Sequence, residues 1–479
     1  MKLRRTVAAC LGIALTFSPL GAVAGDVKKK EEVAASIEKR RVELIRMSDQ
    51  VWAFAETALS ETRSSKLLAD YAEAQGLRVQ RGVAGMPTAF IASYGEGRPI
   101  IGILGEYDAL PGISQKASPV KEALEPGAPG HGCGHNLLGV ASLGAAVAVK
   151  ELIAAGTLRG TIRYYGTPAE EAIGGKLYMI REGLFRDVDI VLAWHPGAET
   201  SADTQGSLAN VQFAVEFRGK TAHAAADPWN GRSAVDALEL FTHGLNMLRE
   251  HVKPAVRMHY VIEKGGEVAN VVPDYARVRC IIRDLTRDGV EEIFSRVRKI
   301  ADGAALMADV QSALIVEGGY ADTNTNFAGE RLLHANLLWL GAIQYSAEEQ
   351  EFARAIQRAT GKETKGLNGS VQPLKEQPGP PPASTDVGDV SWTVPTINLS
   401  VTTAPTGTPW HAWPVVASAG MGIGHKGMMF AAKALAATMV DLFEDAPARE
   451  AIRAEFVQKT RGYVYKSYIP DGPPPLPKP

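Results

Sequence analysis

The sequence predicts an α/β domain interrupted by a smaller ferredoxin-like α+β domain, and three observations carry that expectation. Between residues 88 and 206, short buried strand patterns alternate with helical runs, as in a sheet built from βαβ units. Near Ser207 the pattern changes. Strands of alternating polarity and two long helices follow in the order β-α-β-β-α-β to residue 320. Beyond that, helices and one more buried strand resume. A chain of 479 residues is long enough for two or three domains of roughly 100–200 residues. The expected division is a first α/β part over 27–206, an inserted domain over 207–320, a second α/β part over 321–460 and a Pro-rich tail over 461–479. An N-terminal segment, 1–24, stands outside the fold.

Taken in order, residues 27–80 read as helical. Lys28 to Arg46 mixes charged and apolar residues at helical spacing, and a second amphipathic run from Ser64 to Gln75 ends at Gly76. Thr88 to Tyr94 and Pro99 to Leu104 read as strands. The second runs into Gly105-Glu106-Tyr107-Asp108-Ala109-Leu110-Pro111, which puts acidic groups beyond a strand's carboxyl end, where open α/β sheets form sites. The loop Gly130-His131-Gly132-Cys133-Gly134-His135-Asn136 follows, then an apolar helix from Leu137 to Ala155. The strand Gly160 to Gly166 leads into Thr167-Pro168-Ala169-Glu170-Glu171, and the strand Asp189 to Pro196 carries His195 at its tip.

In the inserted domain the expected strands are Val211 to Arg218, Val256 to Ile262, Tyr275 to Asp284 and Val310 to Gly318. The expected helices end at Leu248 and cover Val290 to Ala304. Helices over 328–360 and a Pro-rich loop (Pro378 to Pro382) precede the strand Thr396 to Val401. Then come Thr408-Pro409-Trp410-His411-Ala412-Trp413 and a closing helix, Gly424 to Phe443. The tail from Pro470 reads as extended.

Hydrophobic residues are 46% and charged residues 22%, ordinary for a globular protein, and a net charge of -2 gives no electrostatic footprint for nucleic acid. Lys2, Arg4 and Arg5, the apolar run Val7 to Leu20 and the small-residue site Ala22-Val23-Ala24 read as a secretory signal peptide cut after Ala24. The run falls short of the ~20 residues a membrane-spanning helix needs. The mature protein is therefore expected in the periplasm or secreted, without a membrane anchor. Cleavage removes Cys10 and leaves Cys133 and Cys280, too few for a disulfide framework. Cys280, in a strand-like run, reads as core. Cys133, on a loop in an oxidising compartment, is a hazard unless a metal occupies its thiolate.

Cys133, His135, Glu170, Glu171, His195 and His411 all fall at expected strand ends or on the loops that follow. Thiolate, imidazole and carboxylate ligands suit a transition-metal ion. Two adjacent glutamates point different ways, so one can bind a cation while the other faces a water. An acidified water beside a carboxylate that takes its proton, and passes it to a leaving amine, is the set that hydrolyses an amide without a protein nucleophile. Each residue has a plainer reading: a helix start for the glutamates, a capped strand end for His195, a loop histidine among tryptophans for His411. One shared site explains their common placement better. The sequence has no Gly-x-Ser-x-Gly elbow, no Walker loop and no Gly-x-Gly-x-x-Gly after a strand. A Cys133 nucleophile with His195 or His411 as base is the formal alternative.

Four motifs in this order, Glu106 to Pro111, His131 to Asn136, Pro168 to Glu171 and Gly219-Lys220-Thr221-Ala222-His223, resemble the binuclear metal amidohydrolases that include aminoacylases, glutamate carboxypeptidases and plant auxin-conjugate hydrolases. Ser384 to Asp389 and Ile423-Gly424-His425-Lys426-Gly427-Met428 are similar to the branch typified by the B-subunit of p-aminobenzoyl-glutamate hydrolase. The resemblance, over residues 35–445, implies a catalytic α/β domain and an inserted dimerisation or lid domain. It also implies two divalent ions per subunit, Mn²⁺ or Zn²⁺, a small N-acyl or N-aroyl amino acid as substrate, and a homodimer. Carried over by motif, it makes Cys133 the bridging thiolate and His135, Glu171, His195 and His411 the other ligands. Glu170 becomes the general base, and Asp108 an outer partner that orients a ligand histidine. His223 becomes an oxyanion donor reaching across the dimer, and Asn270 a substrate contact. His131 takes a position not counted as a ligand. His425 competes with His411 for the last metal position; His411 is preferred because it follows a strand and a Thr-Pro turn. An arginine such as Arg283 is a candidate for the substrate carboxylate. The lengthened connection Lys116 to Pro129, and Trp194, Trp229, Trp410 and Trp413, are candidates for shaping an acyl pocket, with core packing the plainer role for the tryptophans. The same scaffold also serves dipeptidases and carboxypeptidases, and a non-catalytic binding protein is the reading from another class.

Overall fold

The computed structural model describes residues 26–477, so the expected signal peptide lies outside the described residues. The chain opens with α1 (Val27–Lys39), α2 (Arg41–Phe54) and α3 (Thr62–Ala74). Gly76, at φ 84°, turns the chain out of α3 into β1 (Arg78–Arg81), so the helical expectation for 27–80 is wrong at its end. There follow β2 (Phe90–Glu96), β3 (Ile100–Gly105), α4 (His135–Ala154), β4 (Gly160–Gly166), α5 (Gly175–Arg181), β5 (Ile190–Gly197) and the short β6 (Ser201–Ala202).

The second sheet is built from β7 (Ala209–Arg218), α6 (Ala234–Leu248), β8 (Arg257–Gly265), β9 (Tyr275–Asp284), α7 (Arg287–Ala308) and β10 (Gln311–Tyr320). The first domain is then completed by α8 (Phe327–Leu340), α9 (Ala347–Ala359), α10 (Val387–Ser391), β11 (Thr396–Thr402), α11 (Trp413–Ala419), α12 (Gly422–Glu444) and α13 (Ala446–Lys459).

The larger sheet has the order β1-β2-β4-β3-β5-β11-β6. Its centre, β4-β3-β5-β11, is parallel, and β1, β2 and β6 pair antiparallel at the edges. Parallel strands covered on both faces must be apolar throughout, as Ile190-Val191-Leu192-Ala193-Trp194 is. Helix α4 is apolar on all sides, and every residue from His135 to Val149 is buried. It is long and apolar enough to cross a membrane, yet here it is the core helix, packed against the sheet, α1, α2 and α12.

The smaller sheet, β10-β7-β9-β8, is antiparallel throughout. With β7, β8, β9 and β10 as its first to fourth strands, this is the ferredoxin-like arrangement. Val211, Phe213, Val215 and Phe217 alternate onto one face of β7 and pack with Phe241 of α6 and Phe294 of α7 in a separate core. The Phe213 and Phe294 rings lie 4.9 Å apart.

After α13 the segment before Pro470 folds back over the junction of the two sheets: Tyr463 packs at a tilt on Trp392 with ring centroids 4.3 Å apart, and Tyr468 is buried in the core of the smaller domain. From Pro470 on, the described residues carry no helix or strand, as expected. Polar composition hid the three tyrosines, Tyr463, Tyr465 and Tyr468, that anchor the segment before it.

Candidate metal centre and catalytic cleft

The site gathers at the carboxyl ends of the parallel strands. The Gly-rich loop approaches it closely: a Cβ on Gly132 would lie 2.4 Å from Ile113 Cδ1 and 3.3 Å from His411 Cα, so a larger residue would displace the Ile113 side chain and crowd the His411 backbone. Gly134, at φ 74°, then starts α4 and makes His135 its first residue, a little earlier than the sequence indicated.

Cys133, His135 and His195 each offer a ligand atom within 4.8 Å of the others; Cys133, Glu171 and His411 do the same. Cys133 belongs to both groups. His411 Nε2 is 3.1 Å from Cys133 Sγ and 3.4 Å from Glu171 Oε2. His425 is elsewhere, its Nε2 2.8 Å from Asp49 Oδ1. His131 faces α2, with Nε2 3.0 Å from the Val51 carbonyl; burial and the nearby His135 push its pKa down to about 4, so it is neutral.

Asp108 does two things. Its Oδ1 is 2.9 Å from His135 Nδ1, and its Oδ2 accepts the backbone N–H of Glu171 at 2.9 Å. That leaves His135 Nε2 aimed into the cleft. His135 Nε2 is buried against the Glu106 carboxylate, and Glu171 Oε1 is buried without a hydrogen-bond partner. An orphaned carboxylate oxygen beside an imidazole and a thiol fits a bound cation. The thiol points the same way: burial holds Cys133 well above its usual pKa, so its thiolate needs a cation beside it.

The adjacent glutamates diverge, as expected. Glu171 joins the Cys133–His411 group, while Glu170 falls in a third group with Glu106 and His135. Burial, then the Glu106, Asp386 and Glu171 carboxylates, holds Glu170 well above the ordinary carboxylate range. For His135, burial is outweighed by Glu106 and Asp108, which hold the imidazole well above its usual value.

Two residues of this site escaped assignment from sequence. Glu106 Oε2 lies 3.1 Å from His135 Nε2, and Lys176 Nζ bonds Glu106 at 2.6 Å and Asp386 at 2.7 Å, all three buried. The Glu106-x-Asp108 spacing at a strand end was a usable signal, since residues i and i+2 share a face. Lys176, in a short helix, carried none.

The two residues expected from the inserted domain are not brought here within one chain. His223 is tied locally, its Nδ1 accepting the N–H groups of Ala225 and Ala226 at 3.1 Å. Asn270 lies on the facing loop, its carbonyl accepting the Ala224 N–H at 3.0 Å. Arg283 donates to Ser384 Oγ at 2.7 Å. Of the tryptophans, Trp194 is core, bonded to the Leu138 carbonyl, and Trp229 is 71% exposed. Trp410 stands edge-on to the His195 ring with centroids 5.9 Å apart.

Residues 102–414 match peptidase family M20/M25/M40. The chain is 39% identical to the B-subunit of the p-aminobenzoyl-glutamate hydrolase of Escherichia coli K12, over 92% of this chain and 98% of that one. It is 28% identical to the human Xaa-Arg dipeptidase, over 89% of this chain and 91% of that one. Among solved structures, a Bacillus subtilis protein described as a dinuclear metal-binding peptidase of the M20 family shares its fold. That likeness has a TM-score of 0.59 and 18% identity, and covers 85% of this chain and 99% of that one.

Proposed function

The chain belongs to peptidase family M20/M25/M40, and from that premise we propose that it hydrolyses the amide bond of N-acyl or N-aroyl amino acids, with p-aminobenzoyl-glutamate as the leading substrate. The observation that carries this reading is the pair of ligand groups sharing Cys133, with Glu170 beside them and outside both.

Cys133, His135 and His195 would hold one divalent ion, and Cys133, Glu171 and His411 a second; thiolate and imidazole favour Zn²⁺, while the carboxylate tolerates Mn²⁺. Bound there, the pair would supply an acidified water and an electrophile for the scissile carbonyl. Asp108 fixes the tautomer of His135, holding its Nδ1–H so that Nε2 is the free ligand atom. Glu170, its basicity raised by burial, takes a proton from the attacking water and returns it to the leaving amine. Trp410, beside His195, offers an aromatic wall to an aroyl group. His223 and Asn270 would be delivered by a second copy of the chain in a homodimer formed through the inserted domain. The signal-like N-terminus supports export.

The test is turnover of p-aminobenzoyl-glutamate, a panel of N-acyl amino acids and a set of Xaa-Arg dipeptides, with and without chelator, alongside elemental analysis and size-exclusion chromatography. Wild type should hydrolyse an acyl conjugate faster than any dipeptide and lose that activity with chelator. Glu170→Gln should bind metal and lose roughly 10²–10⁴-fold in rate. A Glu170→Gln protein with full turnover, or dipeptides as the preferred substrates, would overturn the reading.

A further inference from the structure

Two chain crossings join the domains, one just before β7 and one just after β10, and both dock on the segment 383–392 of the larger domain. Leu208 N–H donates to the Ala383 carbonyl at 2.7 Å, Ala321 N–H to Asp389 Oδ2 at 2.9 Å, and Asn324 N–H to Ser391 Oγ at 2.8 Å. Trp392 Nε1 donates to the Asp322 carbonyl at 2.7 Å.

The segment after α13 lies across this junction and grips both sides. On the larger domain, Tyr463 packs at a tilt against Trp392, Tyr465 donates its hydroxyl to Asp389 Oδ1 at 2.7 Å, and Ile469 packs with the Tyr165–Val191 core. On the smaller domain, the Arg287 guanidinium lies 3.3 Å from the Tyr468 ring centroid, and the Tyr468 hydroxyl bonds Glu291. Asp389 is thus held by the tail on one oxygen and holds the hinge residue Ala321 with the other.

The residue before Ala321 reaches the site. Tyr320 donates its hydroxyl to the backbone carbonyl of Glu170 at 3.2 Å, and its ring fills a space kept open by Gly174, where a Cβ would lie 2.6 Å from Tyr320 Cε1. The Glu170 turn needs such support. Ala169 has φ 61°, a left-handed conformation that is strained for a non-glycine residue. It persists where surrounding bonds over-determine it.

From this connected path we propose that residues 463–469 act as a strap across the hinge, and that Tyr465 and Tyr320 are positioning residues for Glu170, acting through Asp389 and the backbone of residues 320–321. The inference rests on Glu170 being the general base, but the strap itself can be tested without any substrate.

Tyr465→Phe, Tyr320→Phe and a chain ending at Gly462 would be compared with wild type by hydrogen exchange and by steady-state kinetics on the fastest acyl conjugate. The expected results for Tyr465→Phe are at least fivefold faster exchange in the peptide spanning 319–324 and a 3- to 10-fold fall in kcat. KM should stay within twofold and metal content should be unchanged. Tyr320→Phe should lower kcat similarly while leaving exchange of the tail at wild-type rates. The truncated chain, where it folds, should show the larger exchange effect. Wild-type exchange at 319–324 in Tyr465→Phe overturns the strap, whatever the substrate. Wild-type kcat in Tyr320→Phe, or a kcat loss that tracks loss of metal, overturns the positioning role. A wild-type protein inactive on every conjugate would count against the hydrolase reading and leave the exchange result to decide the strap.

Discussion

Replacing Lys176 with methionine is the sharpest test of how the site is held. Lys176 is buried, and its ammonium is the shared counter-charge of Glu106 and Asp386, at 2.6 and 2.7 Å. Burial works against all three charges, yet the lysine stays protonated because both carboxylates raise its pKa, and Glu106 stays ionised because Lys176 and His135 lower its own. Methionine matches the stem in size, so the substitution removes charge with little change of volume. Breaking a buried pair by removing one partner costs about 3–5 kcal/mol, and here one lysine serves two carboxylates, which puts the loss at the upper end near neutral pH. The sign with pH follows. Without the lysine, Glu106 and Asp386 have folded-state pKa values above their unfolded ones, so they bind protons on folding and the deficit shrinks as pH falls from 8 toward 5. Urea unfolding of the larger domain at several pH values measures this, and adding Glu106→Gln and Asp386→Asn should recover most of the loss. A deficit below about 1 kcal/mol, or one of the same size at every pH, would refute the reasoning, because a simple packing defect does not titrate.

Three further outcomes follow from the same geometry. Asp108→Asn should weaken metal binding roughly 10–100-fold while leaving the fold intact, read by competition with a chromogenic chelator, since the carboxylate that fixes His135 is lost. Glu61 is buried and accepts the Ala169 N–H at 2.9 Å; burial and then the Asp108 charge push its pKa up to about 8. Its folded pKa exceeds its unfolded one, so it destabilises the fold as pH rises through that window, by at most about 1.4 kcal/mol per pH unit. Glu61→Gln should therefore gain stability relative to wild type between pH 6 and 8, and parallel unfolding curves at both pH values would contradict this. Finally, because burial keeps the metal-free Cys133 thiol protonated, metal loading should release its proton, read as proton release in weakly buffered solution for wild type against Cys133→Ser; equal release from the two would remove Cys133 as a ligand.

What was legible in the sequence is what local pattern encodes. Tyr275 to Asp284 reads as a strand to the residue because its polarity alternates and a helix start follows it. The Cys133–His135 loop, the Glu170–Glu171 turn and His411 are legible because their residue types are rare together and sit at strand ends. Lys176, Tyr465 and Glu61 were not legible, for a common reason. A lysine in a short helix reads as solvent-facing, a tyrosine in a proline-rich tail as unstructured, and a glutamate before α3 as a helix start. Each becomes informative only when a partner distant in sequence, Asp386, Asp389 or Ala169, is placed against it.

The same division separates the atoms expected to do chemistry from the atoms that aim them. The two turns that carry the candidate ligands Glu171 and His411 pass through left-handed non-glycine residues, Ala169 at φ 61° and His411 at φ 55°. Such conformations cost of order 1–3 kcal/mol each and persist only where neighbours fix them. The fixing bonds are to backbone: Glu61 on Ala169 N–H, Asp108 on Glu171 N–H, Tyr320 on the Glu170 carbonyl, and the Gly132 carbonyl on His411 N–H at 3.2 Å. Rotating a side chain cannot substitute for them, because they set where each Cα–Cβ bond points. Activity should therefore be more sensitive to Glu61, Asp108 and Tyr320 than their distance from the reacting atoms suggests, and those losses should appear in kcat rather than KM.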